Sequence, residues 1–337
     1  MTCQQTLCRR RLRKTDHVTV TGETAPAAPS AAPTRASNPR SARSRRREAG
    51  AGFAFLSPWL VGFVVLTAFP MVASLYLAFT DYDLFRPPSW VGLENFTKLF
   101  EDPRFWTSAK VTAIYVLVGT PIKLAAALLV AMVLNMKHRG QGAYRSIFYA
   151  PSLIGASVSI AIVWKAMFID DGIVDRIQQL FGLPAGGWVG DPSKTMPMFV
   201  LLAVWTFGAP MVIFLAGLKQ IPAELYEAAS VDGAGPVRKF WRITIPMLSP
   251  VLFFNLLLET IGAFQVFGSA FIISGGTGGP ADSTLFYTLY LYIKGFAQFD
   301  MGYASAMAWV LVVVVGVITA ILFKTSNAWV HYSGDNR

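Results

Sequence analysis

The sequence is poor in charged residues, cysteine and histidine, and each shortage excludes a class of protein. Only 14% of its 337 residues are charged and 54% are hydrophobic, whereas an average soluble domain carries about 25% charged residues. So low a share of charged residues excludes an ordinary water-soluble globule and places the chain among membrane proteins, whose lipid-facing surfaces are apolar. Both cysteines, Cys3 and Cys8, lie near the amino terminus, which leaves the rest of the chain without a disulfide or a thiolate metal site.

Motifs for catalysis are also missing. The three histidines, His17, His138 and His331, are scattered along the chain, which argues against a metal site or a proton relay. The sequence contains no G-x-x-x-x-G-K-[ST] phosphate-binding loop and no usable G-x-S-x-G motif. We therefore predict that the chain is not an enzyme, and that it has no catalytic residue, metal site or cofactor of its own.

The positive charge is concentrated in an amino-terminal tail. The formal net charge is +10, and 11 of the 29 basic residues lie in residues 1–50, where large apolar side chains are almost absent. Such a composition predicts a disordered tail. It could be an arm for nucleic acid or anionic lipid, but we favour a solvated cytoplasmic extension that helps to set topology, with no nucleic-acid partner. The tail lacks the features of a secretory signal, so we expect the first hydrophobic segment to remain as a membrane helix.

Six apolar runs follow, each near the roughly 20 residues that a helix needs to cross a bilayer. The predicted spans are residues 53–79, 109–135, 146–168, 197–218, 251–274 and 302–323. This pattern predicts an all-α polytopic membrane domain over residues 51–337.

The basic residues outside the spans are divided unequally between the two sides of the membrane. One side, which includes the tail, carries 20 of them and the other carries 7, with Lys123 and Lys165 left inside spans. Because the cytoplasmic side of a membrane protein is enriched in Lys and Arg, both termini are predicted to be cytoplasmic. We expect Lys165, near Asp170 and Asp171, to extend to the outer interface, whereas the sequence offers no explanation for Lys123.

The interval 220–250, between the fourth and fifth spans, is predicted to form two short helices. Pro222 favours the start of the first, and Asp232-Gly233 favours its end, because glycine readily adopts the left-handed conformation that follows many helices. Pro236 favours the start of the second helix, which Pro246 is expected to end. Helices this short are marginal alone in water, so the loop is expected to dock on a partner.

The loop has a recognisable pattern. Glu227-Ala228-Ala229, then Gly233, Ile243 and Ile245-Pro246, resembles the EAA loop of inner-membrane permeases of binding-protein-dependent ABC importers, with Ile245 where the pattern has Leu. The strings FLSPWLVGFVVLTAFP, FLAGLKQIPAELYEAASVDGAG and FDMGYASAMA resemble the carbohydrate-uptake branch, in its first permease half (maltose F-type or glycerol-phosphate A-type). The resemblance implies a six-helix type I importer permease fold, and an ATPase-coupling role for Glu227, Ala228, Ala229, Asp232, Gly233, Ile243 and Pro246.

The same resemblance implies the function and the partners. The chain would form half of the pathway for a di- or oligosaccharide in the bacterial plasma membrane. Its partners would be a second permease in a heterodimer, two ATPase subunits that bind ATP and Mg, and an extracytoplasmic sugar-binding protein. The alternative is an ion-coupled secondary transporter of a small polar solute, which would need titratable groups at mid-depth and an internal repeat.

The substrate pathway is predicted around Glu259, because ionisable residues inside spans are costly and usually functional. On a helix, Asn255, Glu259, Gly262 and Val266 can lie on one side, with Gln265 nearby, and these groups suit sugar hydroxyls. The alternative is that Glu259 pairs with Lys123 as a structural contact. Gly208 and Met211, just before the loop, are predicted to face the same cavity.

Overall fold

The computed structural model describes residues 40–136, 140–155, 158–184 and 186–330, with side chains from residue 52 onward. The α-helices in this part of the chain are α1 Arg40–Phe63, α2 Phe69–Leu77, α3 Glu94–Glu101, α4 Pro103–Asn135, α5 Gln141–Ile154, α6 Val158–Phe168, α7 Ile173–Leu180, α8 Pro192–Trp205, α9 Gly208–Gln220, α10 Ala223–Val231, α11 Pro236–Lys239, α12 Ile245–Phe264, α13 Gly268–Ser274, α14 Tyr287–Tyr292 and α15 Met301–Trp329. The strands are β1 Thr80–Asp81 and β2 Ser89–Trp90, which pair antiparallel with Thr80 opposite Trp90. The predicted all-α class is confirmed.

The amino-terminal boundary differs from the prediction. Residues 1–39 of the predicted tail lie outside the described residues, but α1 begins at Arg40, eleven residues before the predicted start of the membrane domain. Arg and Ala are good helix formers, and extending an existing helix is far easier than nucleating one. The apolar helix therefore continues back through the basic residues. The described residues before 63 and those from 63 to 330 belong to two separate compact units.

The six predicted spans correspond to four long helices and two bent pairs. The long apolar helical segments are Gly52–Leu77, Pro103–Asn135, Pro236–Ser274 and Met301–Trp329. The helices Gln141–Ile154 and Val158–Leu180 meet at 95°, and Pro192–Trp205 and Gly208–Gln220 meet at 47°. The third and fourth predicted spans are thus each divided rather than continuous.

The two bends pack against each other, which explains why small residues stand there. A Cβ added to Gly155, at the end of α5, would lie 2.3 Å from Thr206 Cγ2, between α8 and α9. A Cβ added to Gly208 would lie 2.1 Å from Ser152 Oγ. Only residues without a Cβ permit this approach of the backbones, so the sequence at the bends positions α5 against α9.

Helix α4 is central to the packing of residues 63–330, where it contacts α8, α9 and α12. Two apolar clusters lie along it: one surrounds Phe199 and Phe286, and the other surrounds Phe214 and Leu248. A third cluster, around Tyr290 and Met307, joins α14 to α15. These clusters leave a polar cavity between α4 and α12, and they fix its walls.

Candidate transport cavity and coupling loop

A cavity of about 310 Å³ opens between six helices of the bundle. Its walls come from α4, α5, the α8–α9 bend, α12 and the start of α13. The lining residues are Tyr115, Gly119, Thr120, Lys123, Ser152, Gly155, Leu202, Ala203, Thr206, Ala209, Glu259, Gly262, Ala263, Val266 and Ser269. The wall therefore combines hydroxyl groups, one ion pair and small apolar residues, as in sites that bind polar ligands of modest size.

The ion pair joins the two longest helices of the wall. Lys123 Nζ on α4 lies 2.7 Å from Glu259 Oε2 on α12, and the side chains are 16% and 21% exposed. The structure agrees with both placements of Glu259 considered from the sequence, because the residue pairs with Lys123 and also lines the cavity. The contact also accounts for Lys123, which the sequence left unexplained, because a charge at this depth is stable only with a partner.

The other predicted pathway residues divide into two groups. Gly262 and Val266 line the cavity with Glu259, and a Cβ on Gly262 would meet no atom within 4 Å. Gln265 is exposed at the end of α12 and does not line the cavity. Asn255 is only 1% exposed, and its Nδ2 has no hydrogen-bond partner among the described residues.

Gly208 and Met211 pack against other helices and do not line the cavity. Gly208 sits in the close approach of α9 to α5, and Met211 is fully buried with Phe214 and Leu248. The physical reason is the bend before Gly208, which turns this end of α9 into the core. Lys165 Nζ donates to the Ile272 carbonyl at 3.2 Å, near the end of α13, and its predicted extension to the outer interface stays a prediction.

Several residues of the cavity wall were not predicted from the sequence. Tyr115, Gly119 and Thr120 lie eight, four and three residues before Lys123, the spacing of one helix face. Counting back from Lys123 would therefore have found them. Ser152 and Thr206 have no comparable signal, because only the packing of the two bends brings them to the cavity.

The predicted coupling loop begins with α10 and has the expected turn. The N–H of Gly233 donates to the Ser230 carbonyl at 3.1 Å, and that of Ala234 donates to the Ala229 carbonyl at 2.8 Å. Gly233 has φ +73°, and a Cβ there would meet no atom within 4 Å. Glycine is thus needed at this position for its backbone conformation rather than for space.

The second helix of the loop does not end at Pro246, contrary to the prediction. Residues 236–264 are helical throughout, with a π-turn at Phe240–Thr244 just before α12. The Ile245 N–H donates to the Phe240 carbonyl, five residues back. A proline ring clashes with a carbonyl in a regular helix interior, but here Pro246 stands in the first turn after the widened π-turn and is accommodated. The loop is consequently continuous with the helix that carries Glu259.

Contacts hold α10 on this helix and leave its other side exposed. The Tyr226 hydroxyl and Thr244 Oγ1 lie 2.9 Å apart, and Lys239 Nζ donates to Ser230 Oγ at 2.6 Å. Glu227, Ala228, Asp232 and Gly233 are exposed, whereas Ala229, Ile243 and Pro246 are partly buried. Val231, at the end of α10, is 88% exposed. The coupling residues therefore divide into an exposed surface and a part that packs on the helix.

A polar cluster, which the sequence did not predict, closes the opposite end of the bundle. Asp102 accepts hydrogen bonds from the hydroxyls of Tyr290 and Tyr303 and, at 2.9 Å, from the Arg104 N–H. Arg104 in turn donates to both carboxylate oxygens of Asp282, at 3.0 and 2.6 Å. Burial acts to raise the pKa of Asp102, but the two tyrosine hydroxyls and the N–H together lower it below its usual value.

The fold and the cavity define a polytopic helical membrane protein with a polar site between its helices. The family described as binding-protein-dependent transport system inner membrane component matches residues 103–332. The chain is 51% identical over 295 residues to the probable ABC transporter permease protein YesP of Bacillus subtilis (strain 168), covering 87% of this chain and 96% of YesP. It is 33% identical to the lactose transport system permease protein LacF of Rhizobium radiobacter, over 82% of this chain and 94% of LacF.

The fold has a solved counterpart. A chain of a bacterial ABC transporter involved in the import of the acidic polysaccharide alginate superposes with a TM-score of 0.71 at 22% identity, over 86% of this chain and 99% of that chain. The protein belongs to the family of binding-protein-dependent transport system inner membrane components. It is a multi-pass permease of the ABC importer class, and the resemblance drawn from the EAA loop is confirmed.

Proposed function

We propose that this protein forms one half of the membrane pathway of a sugar importer. The observation that carries the proposal is the helix of residues 236–264, because it bears the coupling loop at one end and Glu259 of the polar cavity nearer the other. Its 29 residues span about 43 Å. Relatives named as permeases for lactose and for arabinooligosaccharides support a carbohydrate as the substrate.

The partners follow from this role. A second permease would complete the pathway as a heterodimer, two ATPase subunits would bind ATP and Mg, and an extracytoplasmic sugar-binding protein would deliver the substrate. The exposed coupling surface of Glu227, Ala228, Asp232 and Gly233 would dock on one ATPase subunit. In this arrangement the loop and both termini face the cytoplasm, as the distribution of basic residues predicts.

The cavity offers hydrogen-bond groups of both kinds to a sugar. The Glu259 carboxylate accepts hydrogen bonds, the Lys123 ammonium donates them, and the hydroxyls of Thr120, Ser152 and Thr206 can do either. Because the carboxylate and the ammonium neutralise each other, the wall presents these groups without a net charge. The sugar would be bound as the loop moves with the ATPase and shifts the bundle between inward-facing and outward-facing states.

Co-purification and reconstitution test the proposal. The affinity-tagged chain, isolated from its native membrane, is expected to bring with it a second permease and an ATPase. In liposomes, the complex is expected to hydrolyse ATP faster when the sugar-loaded binding protein is added. Uptake that needs no ATPase and stops when an ion gradient is dissipated would instead support the secondary transporter and overturn this proposal.

A further inference from the structure

A second cavity, of about 390 Å³, lies between α10 and the start of the long helix, away from the transport cavity. Its walls are Ala229, Asp232, Ala234, Arg238, Lys239, Arg242 and Ile243. Three cations and one carboxylate line it, so the cavity carries an excess of two positive charges. A concave site with this charge is suited to an anion.

Among the described residues, the charges of the two arginines have no partner. Lys239 donates to Ser230 Oγ, but neither Arg238 nor Arg242 makes a hydrogen bond or ion pair within the described ranges, 40–136, 140–155, 158–184 and 186–330. Both side chains are exposed. Guanidinium groups pair with phosphate, as with carboxylate, through two parallel hydrogen bonds, so a phosphate ester is an anion that fits them.

The position of the cavity along the helix indicates the source of the phosphate. Residues 243–264, which follow Arg242, contain a single charged residue, Glu259, already paired with Lys123. These 22 residues span about 33 Å, close to the thickness of the hydrocarbon core. Arg242 therefore lies at the depth where lipid headgroups begin.

The aromatic residues beside the cavity agree with this depth. Trp241 is 63% exposed and Val237 is 70% exposed, and the Trp241 ring contacts that of Phe240 at 5.2 Å between centroids. Tryptophan with an exposed ring is enriched at the membrane interface, and clusters of Lys and Arg there attract anionic lipids.

We propose that the cavity between α10 and α11 binds the phosphate headgroup of an anionic phospholipid of the inner leaflet. The proposal rests on the cytoplasmic orientation of the loop in the proposed function. The lipid would bridge α10 to the start of the transmembrane helix, with its phosphate between Arg238 and Arg242 and its acyl chains beside Trp241. A bound lipid would thereby stabilise the coupling loop in its position for docking.

Lipid retention by the purified complex is the direct test. The complex in detergent receives equal amounts of phosphatidylglycerol and phosphatidylcholine, and the lipids that stay bound are measured by native mass spectrometry. We expect Arg238→Gln with Arg242→Gln to weaken phosphatidylglycerol retention about thirtyfold, since each cation near anionic lipid contributes about a fivefold effect. The matched control, Lys219→Gln with Lys324→Gln, removes two exposed cations outside the cavity and is expected to leave retention unchanged.

Measurements of ATP hydrolysis in nanodiscs distinguish a lipid partner of the two arginines from a protein partner. Nanodiscs of phosphatidylcholine alone and with added phosphatidylglycerol are compared; the arginine variant is expected to lose only the increase caused by phosphatidylglycerol. Equal losses in both lipids would mean that the arginines dock the ATPase, and would overturn the lipid proposal. So would unchanged phosphatidylglycerol retention in the arginine variant. The proposed function fails separately, if the sugar-loaded binding protein stimulates ATP hydrolysis in neither nanodisc.

Discussion

The polar groups at the two ends of the protein differ in whether they pair within the chain. At the end that holds Asp102, both tyrosine hydroxyls, the arginine and the carboxylates pair with one another. At the coupling loop, Glu227, Arg238 and Arg242 remain exposed, and Val231 is almost completely so. The groups of the Asp102 cluster therefore pair with one another, whereas the charged groups of the coupling loop face outward. The contrast fits a structural role for the first end and the coupling role that we propose for the second.

The Lys123–Glu259 pair lies between these ends, and its variant should have the largest effect. Glu259→Gln leaves an ammonium without its charged partner at membrane depth, which should destabilise the protein by about 3 kcal/mol, because the cavity still offers some solvation. The thermal stability of the purified complex measures this loss. If the pair also contacts the sugar, then sugar-stimulated ATP hydrolysis should fall as well.

The double variant Glu259→Gln with Lys123→Met serves as the control for charge. It removes both members of the pair, so thermal stability should largely recover while sugar stimulation stays low. Normal stability and normal stimulation in the single variant would contradict both the structural and the transport role of Glu259.

Removing the centre of the Asp102 cluster should have the next largest effect. Asp102→Ala leaves two tyrosine hydroxyls and an N–H without their acceptor, a loss of about 2–3 kcal/mol for hydrogen bonds to a charged group at a partly exposed site. The melting temperature should fall, while ATP hydrolysis per folded complex should stay coupled to the sugar-binding protein. Loss of coupling without loss of stability in Asp102→Ala would contradict a purely structural role for the Asp102 cluster.

Acid provides an independent check on the same cluster. Because the native state lowers the pKa of Asp102, its carboxylate stabilises the fold above the unfolded value of about 3.9. This contribution is lost as the pH falls through the lower native pKa. The melting temperature of the parent should therefore decline more steeply with acid below about pH 4 than that of Asp102→Ala.

Gly233→Val should have a smaller effect on stability, of about 1–2 kcal/mol, because a side chain is strained at φ +73° but meets no neighbouring atom. The main result expected is uncoupling, in which ATP hydrolysis continues while sugar uptake falls. Gly235→Val is the matched control: Gly235 is equally open, but its φ of −71° suits any residue. Equal effects of the two variants would show that backbone conformation is not the reason for glycine at position 233.

The smallest effect is expected from deletion of residues 2–39. The deletion ends before α1, and it leaves Arg40, Arg43 and Arg45–Arg47 to hold the amino terminus in the cytoplasm. Uptake measured at equal protein level should remain close to that of the parent. A shortened protein that inserts normally but no longer transports would reveal an essential partner of the tail.

Local features of the sequence predicted much of the fold and of the loop. The six apolar runs correspond to four long helices and two bent pairs, and Gly233 has the left-handed conformation expected after α10. Glu259 and Gly262, on one face of α12, also line the cavity as the helical spacing predicts, and Val266 lines it from beyond the end of the helix. Hydropathy, helical spacing and glycine conformation act over a few residues, so the sequence alone can reveal them.

The tertiary structure decided which polar groups meet. Lys123 and Glu259 are 136 positions apart, and Asp102 is about 200 positions from Tyr303. Gly208 and Met211 became packing residues because the 47° bend turns α9 into the core, and the helix passes Pro246 because a π-turn precedes it. Such outcomes depend on the packing of helices that are distant in sequence. The sequence by itself determined the spans, the basic tail and the coupling loop. The ion pair required α4 to pack against α12, and the cavity also required the bends at Gly155 and Thr206 to bring α5 against the α8–α9 pair.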